Sequence, residues 1–126
     1  MAHPNDVPEW AVAHAPADAT QATISKAAAA LTTHYVTSIT CTLEGAANAA
    51  AVTFQLRDST TGAGNVLWTG RIANLANDSR DIALGGLNIK GVKGQAVTLE
   101  TLSSTAPAAS SSATVAMTGY SLSEAV

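Results

Sequence analysis

A chain of 126 residues has the length of one domain and can bury a core without disulfides. Its 47% apolar content includes 27 alanines, so large apolar side chains are few and the core is expected to be thin, as in a small sandwich. Charged residues make up only 12%, about half the usual level, and six Lys/Arg against nine Asp/Glu give a net −3 with no basic block. That balance argues against nucleic acid as a partner. No run approaches the roughly 18–20 apolar residues of a membrane span, so no membrane is expected either. The start, Met1-Ala-His-Pro-Asn-Asp6, lacks the basic and apolar regions of a signal peptide, and a chain used without export is expected.

Residues 1–30 read as an extended N-terminal arm and connector, and residues 31–126 as a β-sandwich. Pro4, Pro8 and Pro16 break any helix in the arm and remove backbone donors. Trp10 stands out there, because so large an apolar ring needs a partner. It either folds back on its own domain or anchors the arm to a neighbour, with Val7, Pro8 and Val12 beside it. Thr20–Leu31 carries mixed signals: four alanines favour helix, and Thr23 and Ile24 favour strand. A short strand or irregular connector is expected.

His34–Leu43 reads as a strand with Tyr35, Thr37, Ile39, Cys41 and Leu43 on one face. Cys41 is the only cysteine and reads as a small buried hydrophobe, with no cationic group near it in sequence to activate a thiol. Ala51–Ile72 is the clearest unit. Val52, Phe54 and Leu56 alternate with polar residues, Asp58–Asn65 is turn chemistry with Gly62 and Gly64, and Val66, Trp68 and Ile72 resume the alternation. This predicts a hairpin at the heart of the core.

A polar link over Ala73–Arg80 leads to a short strand, Asp81–Leu84, then Leu87–Ile89 and a turn at Lys90–Gly94. Gln95–Leu102 alternates Val97 and Leu99 against Thr98 and Glu100, Ser103–Ser112 reads as a flexible loop, and Thr114–Leu122 closes the chain. Seven or eight short strands with turn signals every eight to twelve residues predict an all-β fold, an antiparallel sandwich or small jelly roll.

No constellation for catalysis is visible. His3, His14 and His34 lack metal-ligand spacing, and no G-x-S-x-G elbow exists. Asp58, Asp78 and Asp81 sit in or near turns, where Asp commonly caps backbone N–H groups; Asp78 and Asp81 could alternatively bracket a cation or a sugar. Lys90 and Lys93 form a solvated turn or touch an acidic partner surface, and Asp58 and Asn65 are candidate subunit or partner contacts. No enzyme, cofactor or metal is expected.

Four phrases carry a resemblance: His34-Tyr-Val-Thr-Ser-Ile39, Val66-Leu-Trp-Thr-Gly-Arg-Ile72, Gly86-Leu-Asn-Ile-Lys-Gly91 and Gln95-Ala-Val-Thr-Leu99. Through them the chain resembles small virion proteins of tailed bacteriophages, the capsid decoration or cement class and related head-fibre base domains. The resemblance implies a β-sandwich made in the host cytoplasm that assembles, usually as a homotrimer, on the capsid exterior. Its partner would be the major capsid protein, and its role to strengthen the head. The arm lies outside the resemblance and is expected to attach the protein, with Val7, Trp10 and Val12 supplying buried apolar area. The rival expectation is a tail- or fibre-associated binding module whose loops, Asp58–Asn65 and Ser103–Ser112, recognise a host glycan. Neither loop contains an aromatic residue.

Overall fold

The computed structural model describes residues 8–46, 51–73, 78–102, 107–108 and 110–124. Among these residues it contains nine strands and no helix: β1 (Glu9–His14), β2 (Thr23–Lys26), β3 (Thr32–Gly45), β4 (Val52–Arg57), β5 (Val66–Ile72), β6 (Asp78–Leu84), β7 (Ile89–Lys90), β8 (Val97–Thr101) and β9 (Ser111–Ser123). One sheet runs β1-β9-β3-β6, with the short β7 also on β3, and the other runs β2-β8-β4-β5. Every pairing is antiparallel. β6 covers Ile39–Gly45 of β3 and β7 covers Tyr35–Val36, so together they form one interrupted lane. Eight lanes remain. Apart from the β4–β5 hairpin, successive lanes alternate between the sheets, which is jelly-roll winding.

The two inner faces close on Phe54, Leu56, Val52, Ile39, Leu43, Val97, Leu99, Val115 and Met117, all at most 1% exposed. Burying each such side chain stabilises the fold by about 1.5–3 kcal/mol. The expected hairpin is present as β4 and β5, and its Phe54 is the largest fully buried side chain. Cys41 lies in the same core with no exposed surface, and burial pushes its thiol up to about 12 from an ordinary value of 9.0. The unfolded thiol ionises first as pH rises, so this group withdraws stability between about pH 9 and 12, at up to about 1.4 kcal/mol per pH unit. Native protein is therefore expected to leave a disulfide reagent unreacted at pH 8 and to react once unfolded in urea. Cys41→Ala should flatten the alkaline loss of stability, and an equally steep loss in that variant would assign it to other groups.

The first 30 residues supply an edge strand to each sheet. β1 pairs along its whole length with β9, Glu9 opposite Tyr120 through His14 opposite Val115, and the Pro8 carbonyl accepts from the Ser121 N–H. β2 pairs with β8. The prolines bracket β1 instead of disrupting it: Pro8 precedes the strand and Pro16 follows it, positions where a missing N–H costs no ladder bond.

Trp10 folds back on its own domain. Its Nε1–H donates to Ser121 Oγ at 3.0 Å, and its ring meets His34 edge-on with centroids 6.1 Å apart. His34 is buried, and its Nε2 sits 2.8 Å from the Ala27 carbonyl, which can only accept. A proton therefore lies on Nε2, and in the neutral ring Nδ1 accepts from the Ser121 hydroxyl at 2.6 Å. The hydrogen-bonded chain Trp10 to Ser121 to His34 to Ala27 fastens β1 to the core. Gly119 makes room for it: a Cβ there would strike the Trp10 ring and the Tyr35 carbonyl.

Candidate partner-binding face

The outer face of the five-stranded sheet is built from alternate residues of four strands. Register places Ala11 beside Thr118 and Ala13 beside Ala116, then Thr40 opposite Ala116, Thr42 opposite Thr114, and Ala83 opposite Thr40. All are exposed or half-buried. Among the described residues charges occur only toward the border: Glu9 on edge strand β1, Asp81 on edge strand β6, Glu44 at one end and Lys90 at the other. The centre of the face is uncharged, and depletion of charge is one feature of the buried core of protein interfaces. Small side chains also let a second surface approach the sheet closely.

Tyr35 and Tyr120 stand at the Lys90 end, opposite each other across β3 and β9. Their rings are stacked, with centroids 4.8 Å apart and planes 7° from parallel. The Tyr120 hydroxyl donates to Asn88 Oδ1 at 2.8 Å. Beside them the Thr118 hydroxyl lies 2.5 Å from Ser38 Oγ and 3.0 Å from Thr37 Oγ1. Between β1 and the tyrosines runs a shallow groove of about 530 Å³, walled by Glu9, Ala11 and Tyr120 and closed by Thr37 and Thr118.

The alternation in the sequence puts Tyr35 on the inner face with Ile39, and the structure puts it outside. The β3 register shifts between Val36 and Ser38, so Thr37 is one residue more than the β9 partner strand matches. Every side chain before the bulge changes face. Val36 therefore enters the core, and Tyr35 joins Tyr120 outside.

The other expected contact residues fall elsewhere. Val7 lies outside the described residues, and Val12 packs against the core from β1. Asp58 and Asn65 close their own loop: the Asn65 N–H donates to Asp58 Oδ1 at 2.7 Å, and its amide nitrogen lies 3.3 Å from Oδ2. Gly64 takes a φ of 73°, and a Cβ there would run into the Asp58 carboxylate. Lys93 bonds Glu124 at 2.8 Å, which holds that carboxyl below its usual range, and Lys90 is exposed on β7. Asp78 accepts from the Ser79 N–H and lies 3.5 Å from Arg80, away from Asp81 on the outer face. Among the described residues no three His, Cys, Asp or Glu side chains converge on a metal-binding position.

The loop between β4 and β5 does not stand free. It folds over the outer face of β8, so that all five residues of that strand are buried. Thr98 Oγ1 donates to the Ser59 carbonyl at 2.7 Å, and the Gly62 N–H donates to Glu100 Oε1 at 3.0 Å. Arg57 Nε reaches the same oxygen at 3.0 Å and bonds Gln55 through Nη2. Glu100 is 1% exposed, and its Oε2 has no partner among the described residues. Of the two loops expected to recognise glycan, this one is spent on its own sheet, and residues 103–106 and 109 of the other lie outside the described residues.

No protein-family model matches the sequence, and no curated protein matches it. Solved structures to which the chain is similar include the coat protein of Tobacco streak virus, at 12% identity over 100% of this chain and 93% of that one, with a TM-score of 0.35. The CPMV top component is 15% identical over 72% of this chain and 54% of its own, with a TM-score of 0.37. Bacillus endospore appendages, a family of disulfide-linked pili, are 15% identical over 94% and 95%, with a TM-score of 0.32. These similarities are weak and assign no family.

Proposed function

We propose that this chain is a non-enzymatic structural protein of a virion, a capsid decoration protein that binds the exterior of the shell and stabilises the head as a homotrimer. Its partners are the major capsid protein and further copies of itself. One observation carries the reading: the outer face of the β1-β9-β3-β6 sheet has an Ala/Thr centre and keeps its charges at the border. A face of that kind gains little from water and loses little on being covered. The resemblance of four phrases of the sequence to decoration proteins points the same way. Jelly rolls serve other roles as well, so the winding alone does not decide it.

The physical role follows from additivity. Each contact between the decorating protein and two capsomers adds its free energy to the shell and opposes expansion under packaged DNA. A standard interface of about 800 Å² per partner suffices for specific attachment. Electron cryomicroscopy of particles made with and without this chain tests the proposal. The expected result is density on the shell exterior that is lost without the chain, together with heads that rupture at lower temperature. Identical exteriors in the two preparations would sink it.

A further inference from the structure

We propose that the groove beside Tyr120 binds the pyranose ring of an uncharged carbohydrate. The inference goes beyond the virion reading and concerns the chain off the shell, since Ala11 and Thr118 also belong to the face proposed to meet the capsid, where carbohydrate and capsid would compete. Strand order sets Tyr120 between Glu9 of β1 and Tyr35 of β3. Tyr35 covers one side of the Tyr120 ring, and Asn88 holds its hydroxyl. The ring is therefore fixed before any ligand arrives, and its other side turns toward β1 and the groove.

A pyranose presents an apolar C–H face rimmed by hydroxyls that both donate and accept. The groove answers each part. The Tyr120 ring offers the flat apolar wall, and the small residue Ala11 leaves space in front of it. Glu9 supplies an acceptor-only carboxylate, suited to two sugar hydroxyl donors. Thr118 and Thr37 carry hydroxyls that switch between donor and acceptor. The volume of about 530 Å³ falls within the range of small-molecule sites, roughly 300–1,000 Å³. Among the described residues Glu9 is the only charged one lining the groove, and it disfavours acidic sugars.

The test is a two-dimensional amide NMR titration of the full chain with methyl β-glucopyranoside, methyl β-galactopyranoside and N-acetylglucosamine, with glucuronate as the charged control. Saturable shifts at Glu9, Ala11, Thr118 and Tyr120 are expected for at least one neutral probe, with an affinity at least tenfold weaker for glucuronate. Tyr120→Ala should abolish the shifts, Tyr120→Phe should keep them, and Glu9→Gln should weaken binding severalfold. The Phe and Gln variants keep the test decisive if the alanine variant fails to fold. The proposal is overturned if no neutral probe shifts these amides at millimolar concentration, if Tyr120→Ala binds as the parent does, or if glucuronate binds equally well. Shifts at the tyrosines that appear only on raising protein concentration would assign the groove to self-association and overturn it too.

Discussion

Replacing Trp10 with alanine is expected to destabilise the free chain by about 3 kcal/mol, the low end for deleting a large aromatic side chain from a packed site, because the ring is half-buried. The loss has three parts. Ring burial against the core edge disappears, Ser121 loses the indole donor, and His34 loses its edge-on neighbour. Trp10→Phe restores most of the packing without the hydrogen bond and should cost about 1 kcal/mol. Urea unfolding of the purified chain, with no capsid present, measures all three proteins. An unchanged midpoint in Trp10→Ala would mean that β1 is not fastened in solution and that residue 10 serves only as an anchor to something else.

Glu100→Ala is the second large effect, at about 3 kcal/mol, the lower bound for removing one member of a buried ion pair. The side chain of Arg57 keeps 16% exposure, so water recovers part of its lost partner. The Gly62 N–H is left without its acceptor, and the loop over β8 loses its pin. Because Glu100 Oε2 already lacks a partner among the described residues, the pair is an imperfect solution to burying a charge. Replacing both residues by apolar ones, Arg57→Met with Glu100→Leu, should therefore be less destabilising than the two single changes summed. Strict additivity in that cycle would show that the two side chains do not act on each other.

The sequence is most legible where alternation and turn chemistry agree. β4, β5, β8 and the middle of β9 lie where Val52–Leu56, Trp68–Ile72, Val97–Leu99 and Val115–Met117 place them. Two local facts hide the rest. The prolines around Glu9–His14 read as a broken arm, although Trp10, Val12 and His14 repeat with period 2 between them and mark a strand. Thr37 is the harder case. Nothing in His34–Leu43 announces an extra residue, and one insertion is enough to send Tyr35 to the surface, where the site forms. Glu100 shows a limit of another kind: its alternation correctly sets it against Leu99, but its burial depends on a loop some forty residues earlier closing over the strand.

If the Ala/Thr face is the contact surface proposed for the virion, charging it should cost attachment. Thr42→Lys with Ala116→Glu changes two outward side chains without touching the core. Co-sedimentation with capsids lacking this protein then compares the variant with the parent chain. An unchanged melting temperature and at least a tenfold loss of attachment are expected. A variant that melts as the parent does and still decorates capsids to the same extent would contradict the proposal.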